Sequence, residues 1–401
     1  MAGLMLAACQ QGATGNVASS PGGNPTPISQ VAWPAGKTFA VYDGPDASGG
    51  HTMYAVGFEG TAPNVTARVV ARTTLAGRTS KPAPACPPGI CGAPIDPPYV
   101  SLTNDAIYVL DGDAALKAVL PNGTLTNVRS VPGTAKERAA FAVSPDDSQI
   151  AIAIITYSPG SSKLFVENLR GGGHVDVMTS SGTAYWPVGW HQGKIVLASG
   201  RVDHGTLLNP FNAIGYALVD PTAGAQPTPL GTGDCTPSGT LTPAGTACIK
   251  DPGTQCIDGV VANPEPTPYY KTCLRRIDWS GTETNFLVPM NAYTRSFSVA
   301  YAALSVTGQQ ILTDQLGTVF APTSATHGGN EFLGSYHVTV PPFPSMGWID
   351  DVRYSFAYVY PDGVTRDRIV GAAFAGEADV APGVPGSPVT GLLIGTLPAR
   401  L

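Results

Sequence analysis

"FAVSPDDSQIAIAI", residues Phe141 to Ile154, decides the fold. An apolar run ends at Ser144, five turn-forming residues follow, and a second apolar run begins at Ile150. Serine, proline and aspartate favour turns because their side chains bond nearby backbone or preset its angles, so the stretch is a hairpin of two short strands. The same step recurs in "SLTNDAIYVLD" from Ser101 to Ile107 and in "SVTGQQILTD" from Ser305 to Ile311. "GWHQGKIVLAS" keeps it from Gly189 to Ile195, and "WPAGKTFAVYD" from Trp33 to Phe39. "GWIDDVRYSFAY" adds one residue between Gly347 and Tyr354.

These registers are separated by 68, 43, 45, 116 and 42 residues. The step of 116 holds two units, the hidden one lying between Cys235 and Pro289, where "CLRRIDWSGTETNFLV" reads as strand, turn, strand. A second hairpin follows within units, with turns at "LPNGTL", "NLRGGGHV", "DPTAGAQ" and "DWSGTE". Each contains a glycine, for which a positive φ carries little steric cost. No long segment has a 3.6-residue apolar period, and "DAALKAVL" reads as a turn and a strand. Four short strands every 40 to 45 residues is the β-propeller period. The expectation is an all-β chain forming a single β-propeller of seven blades, with six or eight as alternatives and a pair of β-sandwiches as the competing architecture.

The hairpin "FAVSPDDSQIAIAI" resembles the S-P-D-G-x-x-I-A-F type of the TolB-like propellers, and similar hairpins occur in WD-repeat-like propellers. The resemblance spans the repeats from about Trp33 to Tyr358 and departs from the pattern at Asp147, where those turns carry glycine. It implies a disc with a central channel and implies no activity.

Composition narrows the partners. The 401 residues are 43% hydrophobic with a mean hydropathy of +0.07, enough to bury a large core. Charged residues make up only 12%, and 22 Lys and Arg against 28 Asp and Glu leave a net charge of −6. No basic field exists to gather nucleic acid. No apolar run reaches the roughly 18 residues of a membrane-spanning helix.

The chain begins "MAGLMLAACQQGATG", in which "LAAC" at Leu6 to Cys9 resembles the lipobox of bacterial lipoproteins. On that reading residues 1–9 are the remnant of a lipoprotein signal peptide and Cys9 is the lipidated residue. Residues 10–30 carry no charge and are rich in Gly, Ser, Asn, Pro and Gln, the composition of a flexible tether. Residues 31–401 are then the propeller, extracytoplasmic and lipid-anchored to the bacterial cell envelope. With Cys9 lipidated, six of the seven cysteines remain: Cys86, Cys91, Cys235, Cys248, Cys256 and Cys273. They form no C-x-x-C and lie in loops at 74–98 and 232–274, which suits disulfides in an exported protein. Cys86 pairs locally with Cys91. Of the three pairings open to the other four, Cys235 with Cys248 and Cys256 with Cys273 is favoured.

The chain has no G-x-S-x-G, H-E-x-x-H, phosphate-binding G-x-x-x-x-G-K-[ST] or G-x-G-x-x-G. "DGD" at Asp111 lacks the third carboxylate of a calcium loop, and His51, His174, His191, His204, His327 and His337 show no metal-ligand spacing. No metal or cofactor is expected. Trp186 and Trp190 share a side of one strand, as core or as a stacking surface. "GRVDHGTLLNPFN" gathers Arg201, Asp203 and His204 in one loop, where a cation, an acid and a base meet a ligand. In a propeller this loop shares a face with those at 44–51, 74–98 and 250–270, and long loops on a rigid scaffold commonly carry binding residues.

The expected function is a non-catalytic module that binds a protein or glycan ligand or acts as a scaffold. One alternative is a hydrolase or lyase acting on glycans or small exported substrates; convergence of His51, Asp203, His204 or His327 in an axial cleft would favour it. The other is a purely structural envelope protein.

Overall fold

A computed structural model describes residues 32–45, 50–59, 66–78, 95–132, 137–158, 160–203, 208–250, 261–262, 269–289, 301–313, 319–320, 347–351, 353–359, 365–371, 377–381, 392–399 and 401. The described residues are all β, with no helix. The hairpins read at Ser101, Ser144, Gly189, Ser305 and Gly347 are present, but the one read at Trp33 is not. Among the described residues no strand precedes Phe39, and Leu392–Leu397 supplies the first strand there instead. The anchors Phe39, Ile107, Ile150, Ile195, Ile311 and Tyr354 thus all fall on second strands of their meanders. The turns at 120–124, 169–174 and 278–282 follow as expected. The hidden unit has its first hairpin at Thr236–Thr242 and Gly245–Ile249, ahead of the stretch that was legible.

Among the described residues, five discrete sheets of three to five strands span residues 100–130, 137–181, 184–229, 236–289 and 302–320. The remaining eight strands are one sheet. It consists of an antiparallel run within 347–381 and a second run in which Leu392–Leu397 pairs with Phe39–Pro45 and so joins the two ends of the chain. A parallel contact, Val380 to Ala67 and Ala381 to Arg68, fuses the two runs edge to edge. Seven separate blades are therefore corrected to five separate blades plus this fused sheet. Strand pairing of outer edges is the cause, and loop spacing in a sequence carries no signal for it.

The first strands of successive sheets are tied together around the axis of a β-propeller. Ser101 Oγ accepts the Val143 N–H at 2.9 Å, the Trp190 indole donates to the Ala142 carbonyl at 3.0 Å, and Ser238 Oγ accepts the Ala302 N–H at 2.8 Å. The Trp348 indole donates to the Ala303 carbonyl at 3.0 Å, and the Ala399 N–H reaches the Thr103 carbonyl at 2.7 Å, which returns the ring to the 100–130 sheet. Gly239 sits where the neighbouring backbone comes closest: at φ 72°, with the Ala302 carbonyl 2.6 Å from where a Cβ would be, only glycine fits.

Alternation in "FAVSPDDSQIAIAI" has a direct packing meaning. Side chains on a strand point alternately to its two faces, and an inner blade has a neighbour on each. Phe141, Val143, Ile150 and Ile152 pack with Tyr108 and Leu110 of the preceding sheet. Ala142, Ala151 and Ala153 face the other way and leave room for Trp186 and Trp190 of the following sheet. Both tryptophans are buried, with their indole N–H groups bonded to the carbonyls of Phe211 and Ala142, so they are core rather than a stacking surface.

Candidate ligand site on the loop-bearing face

Three of the long loops meet at their described ends. Gly50 lies against the Leu75 carbonyl, the Ile95 N–H donates to the Val202 carbonyl at 3.0 Å, and the Asn212 side chain donates to the Asp96 carbonyl at 3.3 Å. The loops beginning after strands Phe39–Pro45, Thr66–Leu75 and Lys194–Gly200 are thus gathered on one face. Of the loop at 250–270, only Lys250, Val261, Ala262, Tyr269 and Tyr270 are described.

At that junction stands a polar cluster assembled from strand ends of three sheets. Tyr99, just before strand Val100–Leu102, is 3% exposed. Its ring stacks on the His51 imidazole with centroids 3.9 Å apart, and the Arg78 guanidinium lies 4.2 Å from its centre. The first is a ring stack and the second a cation–π contact, and together they hold Tyr99 between two polar groups. His51 Nδ1 is 3.0 Å from Asp43 Oδ1. Arg78 donates to Asp96 Oδ1 at 2.7 Å. Arg138, at the start of strand Glu137–Val143, brings its Nη1 to 3.5 Å from the same oxygen, in ion-pair range but without hydrogen-bond geometry. Tyr157 closes the floor by donating to the Ile95 carbonyl at 2.5 Å. Burial, reinforced by Asp96, raises the Tyr99 phenol above its ordinary range, so it stays protonated.

Arg201 and Asp203 are described and pair with each other, Nε to Oδ1 at 3.1 Å and Nη2 to Oδ2 at 2.9 Å. The intervening Val202 carbonyl is the one that Ile95 uses, so the pair borders the cluster. His204 lies outside the described residues, as do Cys9, Cys86, Cys91, Cys256, His327 and His337. Nothing is described of the Cys273 side chain. Cys235 and Cys248 form a disulfide across the hairpin, as the favoured pairing has it. Arg78, Asp96, Tyr99 and Arg138 were not singled out from the sequence. The one signal available was the position of Arg78 and Asp96 at the two ends of the cysteine loop.

The inner strands surround an axial cavity of about 60 Å³. Among the described residues its wall is apolar apart from hydroxyls: Ser101, Thr240, Thr242 and Thr396 stand among side chains such as Trp190, Trp348, Ile394 and Leu401. No carboxylate, histidine or cation lines it among the described residues. His174 instead bonds Glu167 and Asp176 at the outer edge of its sheet, and His191 stacks on Trp279. Asp111 is neutralised by Lys117 at 2.5 Å. Asp234, Cys235 and Glu283 lie close together, yet Arg275 bonds both carboxylates and the cysteine sulfur is in the disulfide, so that set is already satisfied.

No protein-family model matches the chain, and no curated protein does. Several solved structures are similar to it. An oligogalacturonate lyase in complex with manganese is 10% identical, with 84% of this chain and 97% of that chain covered and a TM-score of 0.44. An oligogalacturonate lyase from Vibrio parahaemolyticus is 7% identical, covering 85% and 92%, with a TM-score of 0.45. TolB from Acinetobacter baumannii is 13% identical, covering 87% and 67%, with a TM-score of 0.36.

Proposed function

We propose that this chain is an extracytoplasmic binding module, anchored by a lipid on Cys9 and displaying a ligand face built from its long loops. The observation that carries the reading is the Arg78–Tyr99–His51 stack with Asp96 and Arg138, a preorganised polar cluster where three loops meet. Binding sites combine a rigid scaffold with a few fixed polar groups, and this cluster has both. The Cys235–Cys248 disulfide supports an oxidising compartment. Metabolic labelling with a fatty-acid analogue followed by mass spectrometry of the Cys9 peptide tests the anchor. An unlipidated Cys9 overturns it.

One observation favours the hydrolase or lyase reading instead. His51 has its Nδ1 on the Asp43 carboxylate, the arrangement that orients a general base. Incubation of the full chain with fractionated envelope glycans and small solutes, followed by native mass spectrometry, separates the two. A ligand recovered unchanged supports the binding module. New products in solution overturn it in favour of the enzyme, and neither binding nor turnover favours a structural protein.

A further inference from the structure

We propose that Arg78 and Arg138 form a carboxylate-binding subsite on the loop-bearing face, in which Asp96 stands in for the carboxylate of a small acidic ligand. This deepens the binding reading above and rests on it.

The cluster is short of acceptors. The Arg78 side chain is only 2% exposed, yet its Nε and Nη2 have no hydrogen-bond partner among the described residues, and the same holds for Arg138 Nη1. One oxygen of one aspartate faces both guanidinium groups. The other nearby carboxylate among the described residues, Asp43, is engaged by His51, and the two tyrosines that complete the surroundings are neutral. A buried guanidinium with idle donors is costly, and a second acceptor relieves that cost.

Geometry selects the kind of acceptor. Arg78 Nη1, which already holds one carboxylate oxygen, and the idle Nη2 beside it form one end of a planar fork. A planar carboxylate matches such a fork through two parallel bonds. The group already held there is itself a carboxylate.

Asp96 is placed to yield. Its backbone is held, since its carbonyl accepts from Asn212 and the neighbouring Ile95 bonds Val202. Its side chain is 45% exposed and rotates into solvent at little loss. Asp96 occupies Arg78 Nη1 and faces Arg138 Nη1, so an incoming carboxylate takes those donors by displacing it. Asp96 therefore competes with the ligand from within the chain, and its removal tightens binding.

The test uses the full chain, with acetate as probe and chloride at equal ionic strength as control, followed by thermal denaturation and titration calorimetry. The wild type shows weak, acetate-specific stabilisation. In Asp96→Asn the half-saturating acetate concentration falls about tenfold, the worth of one charge-assisted bond. Adding Arg78→Gln or Arg138→Gln to that variant abolishes the response. Should those fail to fold, Arg78→Lys keeps the charge without the fork; it loses the response while its circular dichroism stays native. The proposal is overturned if acetate and chloride act alike on Asp96→Asn, if phosphate outperforms acetate, or if Arg78→Lys responds as the parent does. An unchanged natural ligand bound by a chain that ignores acetate sinks the subsite and spares the binding module. Product formation by a chain that responds to acetate does the reverse.

Discussion

Asp147 adopts, at φ 58°, the left-handed backbone conformation that Gly308 adopts at φ 72° in the corresponding turn of another sheet. The N–H of each donates to the carbonyl of its turn serine, Ser144 or Ser305, at 2.9 Å. Those serine hydroxyls in turn accept from Gln149 and Gln310 at 2.9 and 3.0 Å. The two turns are the same device, and one of them carries a side chain where glycine is unstrained. That side chain is 6% exposed, and burial pushes its carboxyl up from 3.8 to about 6, against a bond from Thr103 that lowers it and with Asp105 adding to the rise.

Asp147→Gly therefore stabilises the fold, and by an amount that depends on pH. A carboxyl whose folded pKa is raised favours the fold when protonated, so its contribution is fully present below the unfolded value of 3.8 and is lost as pH rises through about 6. At pH 8 the variant gains about 1 kcal/mol from relief of backbone strain and up to about 3 kcal/mol from relief of the buried charge, the worth of a shift from 3.8 to about 6. At pH 4 the gain shrinks toward the strain component. Urea melts at the two pH values check this, and an equal gain at both would mean the charge has no part.

Trp190 couples two blades through one indole, bonded to the Ala142 carbonyl and packed into space left by small side chains. Trp190→Ala should cost about 3–5 kcal/mol. Trp190→Phe keeps part of the volume but orphans the carbonyl, for about 1–3 kcal/mol. Ala142→Leu, made from the other side, overfills the same space and costs about 1–3 kcal/mol. Combining it with Trp190→Phe recovers part of the loss, because the smaller ring leaves room. A strictly additive double variant in denaturant melts would count against that packing account.

Arg201 tests how far an eye-catching loop motif reflects an actual dependence. Its side chain is 65% exposed, and its partner Asp203 is two residues away. An ion pair so placed contributes little, so Arg201→Ala should alter stability by no more than about 0.5 kcal/mol. Arg78→Ala removes a side chain 2% exposed that holds both Asp96 and Tyr99, and should cost about 3 kcal/mol or more. Thermal melts of the two variants side by side decide the ranking.

What was legible in the sequence followed distance along the chain. The hairpin at Ser144 could be read because its turn chemistry and both strands lie within one short stretch, and the Phe/Ala alternation there encodes two neighbouring cores at once. The fusion at Ala67 and Val380 could not, since parallel pairing of two blade edges needs no turn and leaves no local mark. The ligand-face cluster was hidden for the same reason: His51, Arg78, Asp96, Tyr99 and Arg138 come from four strand ends and meet only through the ring closure. Arg201 and Asp203 stood out because they are adjacent in sequence, which is also why they satisfy each other.

Cys235 and Cys248 are 13 residues apart and their Cα atoms are 5.7 Å apart, bridging strands Thr236–Thr242 and Gly245–Ile249 at the open end of their hairpin. Closing a loop of that length restricts the unfolded chain by roughly 3 kcal/mol. The folded hairpin has further supports on the same side: Glu283 accepts from the Thr232 N–H at 2.6 Å and from Arg275 at 2.7 Å, and Arg275 also holds Asp234 at 2.9 Å. Removing the bridge should therefore leave the native hairpin in place while the unfolded state regains its freedom. Cys235→Ala with Cys248→Ala is expected to lower stability by about 2–3 kcal/mol and to leave the far-ultraviolet circular dichroism unchanged. Adding Glu283→Gln then costs more in the bridge-free chain than in the wild type, because the Arg275 network has become the main clamp on residues 232–235. Denaturant melts of the four chains measure that difference. Equal costs in both backgrounds would show that the bridge and the network act independently.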